Sequence, residues 1–216
     1  MKHKHTHYIY ASFALLLFVA LGYMVKFYPE ALTGFDSNIQ TWVRGDLPGG
    51  LTAFFKMITT LGNTSVQAVI AILAVIWLYL RQYKAEAIFV GTSGVLASIM
   101  IMSLKYIYQR PRPSITHLVH AGGYSFPSGH SLGTFMILGA IAIVLTQRLV
   151  KKAAKTAVYG ITGLLIFLVG LSRIYVGVHY PTDVIAGFTL AFGLLNAIYP
   201  TYDRIRFEWR FQSKQK

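Results

Sequence analysis

The chain has 216 residues, 55% of them hydrophobic and only 12% charged, with a mean hydropathy of +0.52. A soluble domain carries about 25% charged residues, so roughly half the usual charge is missing and the composition points to the membrane. Cys 0 removes any disulfide framework, thiol nucleophile or cysteine-based zinc site. The net charge of +13 flanks apolar runs instead of forming a basic face or tail, which argues against nucleic acid as a partner.

In chain order, residues 1–7 are basic and carry alternating His3, His5 and His7. This is a polar terminus more naturally than a metal site. Residues 8–28 are apolar and long enough to cross a ~30 Å hydrocarbon core. They exceed a typical signal core, and no small-x-small cleavage pattern follows, so they read as a retained helix. Residues 29–50 are polar by comparison and end in the turn cluster Pro48-Gly49-Gly50. Leu51, Phe54, Phe55 and Ile58 then recur at helical spacing, giving a short interfacial helix or the first turns of the next span.

Gly62-Asn63 breaks that pattern, and residues 64–80 form a second span with Trp77 and Tyr79 as interfacial anchors. Residues 86–108 form the third span, where Gly94 and Ser98 have the spacing of close helix packing. A long polar connection through residues 108–127 precedes spans at 131–147, 156–176 and 184–199, the last ended by Pro200. The tail from Asp203 is basic and at best amphipathic. The expected architecture is all-α: one polytopic membrane bundle over residues 1–216, with about six transmembrane helices and a short interfacial helical segment after the first.

With the N-terminus cytoplasmic, most of the 20 Lys and Arg fall on the cytoplasmic side. They are Lys2 and Lys4, Arg81 and Lys84, those of residues 148–155, and those of residues 204–216. That excess places both termini inside. The remaining basic residues then include Lys105, Arg110, Arg112 and Arg173, gathered at the outer ends of spans three to five.

The same topology brings three chemically equipped clusters to one face. Lys105 ends span three with Arg112 just beyond it, Pro127-Ser128-Gly129-His130 opens span four, and Arg173 closes span five while His179 and Asp183 open span six. Cations, an imidazole and a carboxylate to orient it are the parts needed for displacement at a phosphoryl group. Pro181 suits the first turn of a helix, which folds Asp183 back over the residue four before it, His179. Singly, each residue has a bland reading: Arg110 reads as a snorkelling interfacial anchor, and Asp183 alone as a helix cap.

Together, Lys105 to Pro113 (K-x6-R-P), Pro127 to His130 (P-S-G-H) and Ser172 to Asp183 (S-R-x5-H-x3-D) resemble the three-part signature of the type 2 phosphatidic acid phosphatase superfamily. The resemblance covers roughly residues 62–193. It implies that His179 is the nucleophile, that Asp183 fixes its tautomer, and that His130 is acid and then base for leaving group and water. Lys105, Arg112, Ser128, Gly129 and Arg173 would hold the phosphoryl oxygens. No cofactor and no metal are implied.

The expected enzyme hydrolyses a lipid phosphate or isoprenoid diphosphate drawn from the bilayer. It would sit in a bacterial cell membrane with its site extracytoplasmic. A lipid phosphotransferase using the same site and, from a different class, an anion transporter are the alternatives.

Overall fold

A computed structural model describes residues 4–215 of the chain, so His3 lies outside the described residues. Eight helices follow in order: α1 (Lys4–Phe27), α2 (Pro29–Arg44), α3 (Gly49–Thr60), α4 (Thr64–Leu80), α5 (Lys84–Tyr108), α6 (Gly129–Thr146), α7 (Lys152–Tyr175) and α8 (Pro181–Phe211). Five of them, α1, α5, α6, α7 and α8, are individually long and apolar enough to cross a membrane. The pair α3 and α4 reaches that length only as one span bent by 49° at residues 61–63. The described helices therefore supply five crossings, or six when the bent pair counts as one; residues 64–80, expected as the second span alone, reach that length only together with α3.

The bundle is organised around α6, which packs against α4, α5, α7 and α8. Its sequence is apolar all round, as a helix enclosed by others must be, and Leu132, Met136, Ala140 and Val144 are buried along it. Peripheral helices bury one stripe only. In α1 that stripe is Ala11, Ala14, Phe18, Gly22 and Val25, seated mainly on α8. Phe13, Leu16 and Met102 point outward and are 66–74% exposed, the pattern of a surface solvated by lipid chains.

Two elements depart from expectation. Residues 29–44, expected as a polar connection, form α2, because its inward stripe of Leu32, Asp36 and Gln40 is mostly polar and escapes a search for hydrophobic period. The last helix does not stop at Pro200 but runs on to Phe211. An interior proline costs about 3 kcal/mol, and packing beyond it offsets that cost. Tyr202 stacks on Phe89 with ring centroids 4.2 Å apart and donates to Gln147 Oε1 at 2.6 Å. Further on, Arg210 joins Arg148 in pairing with the buried Glu86, at 3.1 and 3.0 Å.

Candidate active site

The segment 172–179 is buried at every residue, and the helix geometry around it fixes its side chains. The α7 helix ends at Tyr175, and Gly177 then takes φ +80. A Cβ at Gly177 would collide with the Arg44 guanidinium and lie 2.7 Å from Thr116 O, so both conformation and space require glycine there. Pro181 starts α8, and Asp183 Oδ2 accepts the Tyr180 N–H at 2.9 Å as a cap. The same Oδ2 lies 3.3 Å from His179 Nδ1. Asp183 is thus both the cap that its position suggested and the partner of the imidazole.

On the other ring nitrogen, Nε2, Arg112 Nη1 approaches to 3.4 Å. A guanidinium only donates, so Nε2 presents a lone pair and the ring proton sits on Nδ1, facing Asp183. Burial first, then the Arg173, Arg112 and Lys105 cations, hold His179 well below the usual imidazole value. The ring is therefore neutral at pH 7, with the lone pair of Nε2 aimed at a cationic cluster, an arrangement chemically able to attack an electron-poor centre.

The cations are fixed by different means. Arg173 is 4% exposed, donates through Nη1 to Thr59 Oγ1 at 2.6 Å, and among the described residues its buried Nε has no acceptor. A buried N–H without an acceptor is costly and is a ready donor to an anionic oxygen. Arg112 spends most of its fork on backbone carbonyls, reaching Val178 O at 2.6 Å, Gly122 O at 2.8 Å and Gly123 O at 3.1 Å. Lys105 Nζ donates to Tyr124 O at 2.5 Å. These two cations consequently tie residues 122–124 over the site as well as charging it.

His130 stands in the first turn of α6, its Nε2 3.1 Å from Asn63 Oδ1 and its ring against Gly62. Gln67 Nε2 bonds Gly62 O at 3.1 Å and Thr134 Oγ1 at 3.0 Å, joining the α3–α4 bend to α6. Ser128 takes a different place from the one expected of a phosphate ligand: it is fully buried, and its Oγ accepts from Ser131 N at 3.4 Å and Ser131 Oγ at 2.9 Å as the cap of α6.

Lys105, Arg112, Gly129, His130, Arg173 and His179 line one cavity of about 800 Å³; Asp183 and Ser128 stand behind its wall. The cavity continues between α4 and α5 past Ala68, Ala71, Val75, Gly94 and Gly91. From Lys105 to Gly91 is about 21 Å of helix, most of a ~30 Å hydrocarbon core. Gly94 and Ser98 were expected to close a helix seam; instead both line this groove, and a Cβ at Gly94 would meet Ala71 and Ile137 at an ordinary 3.8 Å.

Sequence reasoning missed the residues that hold the machinery. Arg110, read as a snorkelling anchor, is buried and bridges Asp36 and Asp183 at 2.8 and 2.6 Å. Asp36, Gln40, Arg44, Thr59, Asn63 and Gln67 all contact the site from α2 to α4, Gln40 by donating to His179 O at 3.3 Å. The available signal was their polarity within a chain that is otherwise so apolar.

Comparison with known proteins bears on the family and the fold. The chain is 42% identical over 106 residues to the phosphatidylglycerophosphatase B of Bacillus subtilis, which is 49% of each chain. It is 32% identical over 133 residues to an undecaprenyl-diphosphatase of the same organism, covering 59% of this chain and 64% of that one. These two matches thus span about half to two-thirds of the relatives' length. A Sulfolobus acidocaldarius undecaprenyl-diphosphatase is 30% identical over 183 residues, 82% of this chain and 83% of that one. The crystal structure of a transmembrane PAP2 type phosphatidylglycerolphosphate phosphatase from Bacillus subtilis superposes with a TM-score of 0.83 at 27% identity, covering 90% of this chain and 96% of that one. The model of the PAP2 superfamily matches residues 86–207, from the third crossing through Pro200, and with a shared helical arrangement at that coverage the chain belongs to this superfamily.

Proposed function

We propose that the protein is a membrane phosphatase that removes the terminal phosphate of a lipid phosphate or isoprenoid diphosphate. The observation that carries this reading is the neutral, buried His179, oriented by Asp183 and opening onto cations at the head of an apolar groove about 21 Å long. The groove suits a lipid chain, and the cationic head suits its phosphate. The names of the similar phosphatidylglycerophosphatase and undecaprenyl-diphosphatases indicate which lipids to try first.

In this mechanism His179 Nε2 attacks phosphorus, a P–N bond forms, and the P–O bond to the lipid breaks. His130 gives its proton to the departing oxygen. Asp183 stabilises the positive charge that His179 acquires. Water then attacks the phosphohistidine, His130 takes its proton, and inorganic phosphate leaves with His179 restored. Lys105, Arg112 and Arg173, with the Gly129 N–H at the start of α6, hold the phosphoryl oxygens, whose charge is spread in a loose transition state.

The site lies at the end of the bundle opposite Arg148, Lys152 and Arg210. The positive-inside rule assigns that basic end to the cytoplasm and the site to the outer face. The reading is tested by phosphate release from phosphatidate, phosphatidylglycerophosphate and undecaprenyl diphosphate in detergent with chelator present. His179→Ala should abolish release, and vanadate should inhibit the native protein as a trigonal mimic of the transferring group. Undiminished release by His179→Ala ends the mechanism.

A further inference from the structure

Asp36 stands on α2, outside the residues that match the family, yet it is 1% exposed and makes three short contacts around Asp183. Its Oδ2 pairs with Arg110 Nη2 at 2.8 Å and accepts from Thr182 Oγ1 at 2.9 Å, while its Oδ1 accepts the Thr182 N–H at 2.9 Å. Arg110 Nη1 in turn reaches Asp183 Oδ1 at 2.6 Å and Thr182 Oγ1 at 2.8 Å. The Tyr180 ring covers the guanidinium at 3.9 Å. Asp183 is fully buried and Thr182 2% exposed, so the network is nearly dry.

The charges decide what this arrangement does. Arg110 paired with Asp183 alone would cancel the countercharge that an imidazolium at His179 requires. A second carboxylate on the far side of the fork shares the guanidinium, so the two carboxylates and one guanidinium carry a net charge of −1. The hydrogen bonds to Thr182 meanwhile fix the first turn of α8, from which Asp183 projects.

We propose that Asp36 and Arg110 are positioning residues for the His179–Asp183 pair: Arg110 aims Asp183 and Asp36 preserves the negative charge that His179 meets. The proposal rests on reading His179 as the nucleophile and Asp183 as its partner. Its consequence is that α2 governs turnover although it touches neither the phosphate nor the lipid chain.

Asp36→Asn keeps the shape of the side chain and removes its charge. With dioctanoyl phosphatidate in detergent micelles, it should lower kcat about 10- to 100-fold while KM stays within about twofold, as expected when an interaction made mainly in the transition state is lost. In an Asp183→Asn background the same change should cost less than about threefold, because coupled residues are not additive.

An unchanged kcat, a rise in KM alone, or the full loss repeated in the Asp183→Asn background would each overturn the proposal. If Asp36→Asn does not fold, the Asp36→Asn, Arg110→Gln pair removes both buried charges together, leaves the net −1 on Asp183 unchanged, and so tests the aiming of Asp183: a fall in kcat at constant KM supports the proposal, and native kcat refutes it. His179→Ala separates this idea from the one beneath it. An inactive His179→Ala beside a fully active Asp36→Asn sinks only the role of α2, whereas an active His179→Ala sinks the mechanism.

Discussion

Gly62 sits at the α3–α4 bend with His130 resting on it. A Cβ placed there would lie 2.5 Å from His130 Cδ2, 2.8 Å from His130 Cγ and 2.8 Å from Val169 Cγ1. Carbon atoms in good contact are about 3.5–4.0 Å apart, so Gly62→Ala forces the imidazole to move by about 1 Å or the bend to open. Overpacking of that kind costs about 1–3 kcal/mol, and a misplacement of about 1 Å at a reacting group costs on the order of 100-fold in rate.

Phosphate release from a lipid phosphate should therefore fall about 100-fold in kcat, with a lowered thermal midpoint in detergent. Gly160→Ala is the control, since a Cβ there meets nothing within 4 Å, and it should turn over normally. A Gly62→Ala protein with native kcat and native midpoint would show that His130 is not confined against this turn, and the reasoning would fail.

Asn63→Ala should lower kcat about tenfold with little change in KM, because the ring 3.1 Å from its Oδ1 loses its anchor; unchanged kcat would remove Asn63 from the site. Gly94→Leu should fill the groove, raising KM for long-chain lipid phosphates while sparing a short soluble phosphate ester. Equal effects on both would mean that the groove does not hold the chain. Acid should destabilise the fold through His179, whose imidazole burial and neighbouring cations hold below the usual value. Below about pH 6.5 the unfolded chain takes up a proton that the folded ring refuses, so stability falls by about 1.4 kcal/mol per pH unit until the folded pKa is reached. Above pH 6.5 the two states bind alike and the effect vanishes. In His179→Ala that part of the slope in thermal midpoint against pH should disappear; an unaltered slope would contradict it.

The two errors of element assignment have different origins. Long apolar runs reveal helices that cross a membrane, so α1, α5, α6 and α7 were legible. The α2 helix buries Asp36 and Gln40, so its period is written in polar residues and reads as a connection. Pro200 carries a local cost that points to a helix end, but the contacts that override it, from Tyr202 to Phe89 and from Arg210 to Glu86, join residues more than a hundred positions apart. Arg110 was misread for a related reason: a lone arginine near a span end normally reaches for water, and only the approach of α2 and α8 supplies the two carboxylates that keep it inside.

The sequence by itself determined the membrane class, the helical bundle and the chemical parts, because composition, span length and the order of Lys105, Arg112, His130, Arg173, His179 and Asp183 are properties of the chain read along its length. It also determined the His179–Asp183 pairing, since four residues across a helix start are a local geometry. Only the tertiary structure decided that Gly94 borders a groove instead of a seam, and that Asp36 and Arg110 surround Asp183. Those outcomes depend on which helices approach one another and how closely, and distance in space between residues far apart in sequence is not written in either segment alone.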